Sequence, residues 1–341
     1  MQHEITRVIP LLDRHGDLTE PGFAKKLLPV YRRRDVRAGR SRIKEWDYYL
    51  ISNGRVALAL TVADNGYMGM DSVSLLDLEE GWEITKSPMS VLPMGALHMP
   101  ESSVQGDVRH GGKGHSLAFE NDGGGRRVLT ARMDGFGPEG ALSAEIELTD
   151  EPEESMVICT PFDKPGHFYF NQKINCMRAR GQVRYGSRLY TFDPAESFAV
   201  LDWGRGVWTY HNTWYWGSAS YHIDGVPFGF NLGYGFGDTS AATENMLFYG
   251  GRAHKLNHVR FHIPGEEKDF LSPWYFSSDN GRFEMNFVPV LDRASCTDFK
   301  VLKSDQHQVF GRFSGRAVLD DGTVLEVKDL TGFAEKVENK W

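Results

Sequence analysis

Four times along the chain, a run of alternating apolar and polar residues breaks at Asn-Gly or Asp-Gly and then starts again. Asn53-Gly54 lies between residues 46–52 and 55–62, and Asp224-Gly225 between 214–223 and 226–232. Asn280-Gly281 lies between 274–277 and 282–288, and Asp321-Gly322 between 315–319 and 323–328. The primed turns that join antiparallel strands need positive φ at their central residues. Asn, Asp and Gly adopt that at least cost, so each break predicts a hairpin. The run Gly123-Gly124-Gly125 predicts a fifth, looser one. Between turns the period is two: Val259, Phe261 and Ile263 alternate with Arg260 and His262, and Phe283, Met285 and Phe287 with Glu284 and Asn286. One face of each strand is therefore buried and the other wet. Helical signals are confined to two short stretches, 20–28 and 244–248. The expected class is all-β, antiparallel, with few short helices; 37 Gly for turns and 21 Phe, 13 Tyr and 8 Trp for pleated surfaces suit it.

The two halves of the chain resemble each other. Trp46-Asp47-Tyr48-Tyr49-Leu50-Ile51-Ser52 leads into a hairpin turn, an apolar strand and a glycine-rich stretch at 66–69. Trp214-Tyr215-Trp216-Gly217-Ser218-Ala219-Ser220 leads into the same three, ending at 233–237. Trp214 lies 168 positions after Trp46 in a chain of 341, so the repeat is a duplicated domain and not a solenoid unit. Two barrels or half-barrels fit that length, 1–170 and 171–341, with the junction between Pro161 and Gly181.

Charge and cysteine content exclude several functions. With 38 Lys and Arg against 46 Asp and Glu, the net charge is −8, and a nucleic-acid partner, which needs clustered cations, is not expected. The one basic run, Arg32-Arg33-Arg34 with Arg37, Arg40 and Arg42, reads as a solvated loop. No stretch approaches the roughly 18 apolar residues of a membrane helix, and Met1-Gln2-His3-Glu4 lacks the layout of a signal peptide. Cys159, Cys176 and Cys296 are odd in number with no CxxC spacing, which points to reduced thiols and a cytoplasmic location. No zinc motif, Rossmann fingerprint or Ser–His–Asp signature is present, so neither a metal nor a cofactor is expected.

Chemistry concentrates in one segment. Four of the eight tryptophans, Trp203, Trp208, Trp214 and Trp216, fall between Leu201 and Trp216, beside Asp202, Arg205, Tyr210 and His211. A buried tryptophan removes roughly 150–250 Å² from water, about 4–6 kcal/mol gross, so packing alone is one account of the cluster. An aromatic wall beside an acid, a guanidinium and an imidazole is also the composition of a pocket for an apolar small molecule. In an extended strand Trp214, Trp216 and Ser218 share one face, and Tyr215 and Gly217 the other. The candidate catalytic residues are Asp202, His211 and Tyr210, and the candidate ligand contacts Trp203, Arg205, Trp208, Trp214 and Trp216. His110-Gly111-Gly112-Lys113-Gly114-His115 has the composition of a flexible anion loop without a helix to follow it, and His254, His258 and His262 fall on the wet face of an inferred strand.

Trp46-Asp47-Tyr48-Tyr49, Ala63-Asp64-Asn65-Gly66-Tyr67, the run from Trp208 to Gly217 and the ending from Gly332 to Trp341 together resemble the family called domain of unknown function 2804. Asp202-Trp203-Gly204 ahead of Trp214-Tyr215-Trp216 is similar, over about twenty residues, to the tandem-lipocalin group of hydroxyneurosporene synthase, a carotenoid hydratase. The chain differs there by its Arg205-Gly206 insertion and by having no clear second acid in that strand. This second resemblance implies two lipocalin-like barrels and a lipid- or terpenoid-like ligand, hydrated or isomerised with Asp202 as general acid, Trp214 and Trp216 facing the cation, and His211 or Tyr210 orienting water. A carrier or sensor without catalysis, and an interaction protein with filled cores, are the alternatives.

Overall fold

A computed structural model describes residues 2–298 and 303–340; Met1 and Trp341, at the ends of the sequence features above, lie outside the described residues. The fold is all-β: two large antiparallel sheets, each curled into a half-barrel around its own apolar core, and a two-stranded parallel ladder of Ile9–Pro10 with Pro29–Val30. The first sheet begins as a meander, Ile43–Ser52, Val56–Asp64, Met68–Asp77 and Trp82–Lys86. The second begins in the same way with His211–Ile223, Val226–Tyr234, Met246–Tyr249 and Arg252–Lys255. In each sheet the last strand returns to pair with the first: Phe198–Val207 lies against Ile43–Ser52, and Val324–Lys340 against His211–Ile223. Trp46 and Trp214 therefore occupy matching places in two copies of one topology. All five expected hairpins form.

Phe168–Tyr185, which spans the expected 170/171 boundary, and Phe198–Val207 after it both stay in the first sheet; the chain changes sheets at 208–210. The two sheets pack through their outer faces. One shared cluster joins Met156, Tyr169 and Phe198 to Phe236, Met246 and Phe248, and another joins Tyr48, Leu50 and Val200 to Trp216, Phe310 and Phe333. A bulge after Ile174 turns Asn175 across this seam, where its amide donates to Ser218 Oγ (2.8 Å) and the Phe230 carbonyl (3.2 Å).

Neither expected helix forms. In 20–28, Pro21 and Gly22 are poor helix formers, and Gly22–Ala24 instead pairs with the Met156–Pro161 strand. In 244–248, Met246–Tyr249 is a strand with a partner on each side, so sheet pairing overrides its local preference. The only α-helical turn among the described residues, Pro264–Glu267, contains Gly265 and Glu266 at positive φ and is a tight turn. The arginine run is more than a solvated loop: it forms short 3₁₀ turns at Arg33–Asp35 and Arg40–Arg42. Arg33 pairs with buried Glu45, and Arg42 donates to the Trp208 carbonyl at 2.8 Å. No helix among the described residues is long and apolar enough to cross a membrane.

Candidate functional site

The outer faces do not close completely. Between them lies a cavity of about 950 Å³, walled by Trp46, Tyr48, Tyr169, Asp202 and Met70 of the first sheet, and Trp214, Trp216, Arg293, Gln308 and Glu335 of the second. Trp208 and Phe236 also line it, as do Lys86 and the exposed Met89 at its rim. The volume is in the range of small-molecule sites, which are mostly apolar with a few placed polar groups.

Strand pairing sets those polar groups in two rows. In the first sheet Lys173, Asp202 and Tyr48 stand opposite one another on adjacent strands. In the second the row is Arg293, Gln308, Glu335 and Trp216. Asp202 is buried and salt-bridged to Lys173 Nζ at 2.9 Å, and the Asn171 amide donates to the same oxygen at 2.5 Å. The Lys173 ammonium also sits 4.0 Å from the centre of the Trp216 ring. Two residues on, Gly204 is required: a Cβ there would lie 1.9 Å from Cζ2 of Trp46, whose ring crosses that position.

Glu335 has no such counter-ion among the described residues. Its Oε1 accepts from Trp214 Nε1 at 2.8 Å and its Oε2 from Gln308 Nε2 at 2.9 Å. Burial pushes its carboxyl up to about 7, against the pull of the Trp214 hydrogen bond, the charges of Arg293 and Lys173, and the Gln308 hydrogen bond. A third carboxylate, Glu244, also lines the cavity, packed where Gly233 leaves room for it, and burial raises its pKa as well. The Tyr48 hydroxyl, buried beside these groups, faces the Gln308 side chain without a hydrogen bond of normal geometry among the described residues.

The structure brings Asp202, Trp208, Trp214 and Trp216 together on the cavity. Trp203 and Arg205 are elsewhere, because alternation in an unbroken strand sends them to the face opposite Asp202. Trp203 is enclosed in the first core between Tyr31 and Phe170. Arg205 stacks 4.1 Å from the Trp203 ring centre and pairs with Asp47 at 3.1 Å, leaving Asp202 to Lys173. Tyr210 and His211 sit ring to ring at the exposed crossing between sheets, outside the cavity lining. The His110–His115 segment is a strand hairpin whose two histidines both contact buried Asp71, rather than a flexible loop. His262 and His258 are exposed, His262 bonding Ser277, while His254 faces Asp320.

Glu335 and Lys173 escaped the sequence reading. Both leave a trace, since Phe333-Ala334-Glu335-Lys336-Val337 puts a carboxylate in line with two apolar residues, as Tyr169-Phe170-Asn171-Gln172-Lys173 does an amine with a tyrosine.

The fold is similar to the crystal structure of a "putative AttH" from Nitrosomonas europaea, with a TM-score of 0.53 at 12% identity over 86% of this chain and 92% of that one. A kievitone hydratase from Nectria haematococca aligns over 98% of both chains at 11% identity with a TM-score of 0.48. No curated protein matches the sequence. Residues 2–341 match, from end to end, the family described as domain of unknown function (DUF2804), and the chain belongs to it.

Proposed function

We propose that the cavity holds an apolar, lipid- or terpenoid-like molecule and that Glu335 delivers a proton to one of its double bonds. The observation that carries this is the Glu335 carboxyl, buried on an aromatic-walled cavity with its pKa near 7 and hydrogen-bonded in a fixed direction. A general acid works best when its pKa lies near the working pH. Proton transfer from Glu335 to one alkene carbon leaves a cation on the next. The rings of Trp46, Trp208 and Trp214 face that charge, each contributing about 0.5–2 kcal/mol. Water then adds to the cation and gives up a proton, which Asp202, the ion-paired carboxylate of the opposite wall, is positioned to accept. Loss of a proton from a neighbouring carbon to Asp202 instead gives isomerisation; in either branch proton exchange with solvent returns both carboxyls to their starting states. Asp202 keeps a part in this reading as acceptor, the donor role passing to Glu335 because Glu335 lacks a counter-ion.

The test starts with native mass spectrometry and organic extraction of the purified protein to identify a bound passenger. On that compound or its unsaturated precursor, Glu335→Gln is expected to lower turnover by about 10²–10⁴-fold. Unchanged turnover in Glu335→Gln, or a loss confined to Asp202→Asn, would overturn the assignment.

A further inference from the structure

Resting on the reading of the cavity as a ligand site, we infer that Arg293 receives an anionic group, so the ligand is an amphipathic acid: carboxylate on the guanidinium, hydrocarbon along the aromatic walls. The two cavity rows supply the argument. In the first, the cation Lys173 is the immediate neighbour of the acid Asp202, and the two neutralise each other. In the second, Gln308 stands between the cation Arg293 and the acid Glu335. That intervening strand puts their backbones about 10 Å apart at the usual strand spacing. Arg293 forms no salt bridge among the described residues, and its one hydrogen bond there runs from Nη1 to the neutral Ser74 Oγ of the opposite sheet, at 2.8 Å. A guanidinium has five N–H donors in a planar fork that matches a carboxylate's two oxygens. Most of that fork is unused, on a residue that lines the cavity.

A strut between sheets would explain the Ser74 bond but not the choice of arginine, since a hydroxyl is satisfied by any single donor. The remaining lining supports an elongated ligand: the half-buried Met68, Met70 and Ile84 add apolar surface to that of the tryptophans. Held at one end by Arg293, a chain can reach Glu335 with an internal double bond.

The experiment compares decanoate with 1-decanol by native mass spectrometry and calorimetric titration at pH 8, in the wild-type chain, Arg293→Gln, Arg293→Lys and Ser74→Ala. The expected result is at least a tenfold preference for decanoate in the wild type. It should fall to near unity in Arg293→Gln with decanol affinity unchanged, persist in part in Arg293→Lys, and survive in Ser74→Ala, which removes only the strut. Equal affinities in the wild type, or a preference that persists in Arg293→Gln, would overturn the inference and leave the cavity reading standing. Binding of neither compound would overturn both. Should Arg293→Gln fail to fold, the wild-type ratio and the Ser74→Ala result still decide.

Discussion

The first sheet presents Lys173, Asp202 and Tyr48 to the cavity from consecutive strands, and the second presents Gln308, Glu335 and Trp216 from the corresponding ones. Tyr48 and Trp216 are equivalent in the repeat, as are Trp46 and Trp214, so the two acids occupy the same place in two copies of one fold. What differs is the neighbour on the inner side, an amine in one copy and an amide in the other. The amine makes Asp202 half of an ion pair. The amide can donate a hydrogen bond but supplies no charge, and burial then raises Glu335 towards neutrality. One change of side chain separates an ion-paired carboxylate from a buried carboxyl whose pKa is raised.

The comparison breaks most sharply at Lys173. Lys173→Gln gives the first row the chemistry of the second, and leaving Asp202 unpaired should cost about 3–5 kcal/mol in urea denaturation at pH 8. A loss below 1 kcal/mol would show that the amine is not what distinguishes the rows. Glu335 should carry the next largest effect, and one that depends on pH. Its folded pKa of about 7 exceeds its ordinary 4.5, so the folded state holds the proton more tightly than the unfolded one. Its contribution is constant below pH 4.5, declines as pH rises to 7, and is flat above. At about 1.4 kcal/mol per pH unit, that decline amounts to about 3 kcal/mol. Glu335→Gln, with the Gln308 amide turned to accept, should abolish this slope relative to wild type, and parallel stability–pH curves would contradict it. Trp214→Phe removes the indole donor to Glu335 and should cost about 2 kcal/mol at pH 8, where the carboxylate is charged, and less at pH 5. The smallest effect is expected at Tyr48. Its hydroxyl makes no hydrogen bond of normal geometry among the described residues, so Tyr48→Phe should leave stability within about 0.5 kcal/mol, and a larger loss would show that its approach to Gln308 is a working bond.

How far the sequence disclosed this architecture can be read from single residues. Asn53-Gly54 and its three counterparts announced hairpins because a primed turn is a local event, decided by two residues. Trp214 and Trp216 were put on one face correctly, since alternation needs only an unbroken strand. Sequence alone does not separate Trp203 and Arg205 from Asp202, because the glycines at 204 and 206 obscure whether the strand continues, and it does. Glu335 was out of reach for a different reason. Its opposite numbers, Trp216 and Gln308, are set by strand register across up to 119 residues of chain. No local pattern encodes that register. The helices expected at 20–28 and 244–248 give way to strands, the first paired with the distant Met156–Pro161 strand and the second held between a strand on either side.

The cavity is made from the outer faces of both sheets, and this bears on how such a site can diversify. Two separate copies of a half-chain, docked through these faces as a symmetric dimer, would be obliged to carry identical side chains at the two acid positions and at both neighbours. Any substitution would appear twice, and a lysine that neutralised one carboxyl would neutralise the other. Joining the copies in one chain lifts that constraint, because each position of the pair can then vary alone. The repeat is in this sense a permission: it lets one wall of the cavity carry an ion pair while the other carries a carboxyl without one, an asymmetry that a symmetric pair of identical halves has no means to encode.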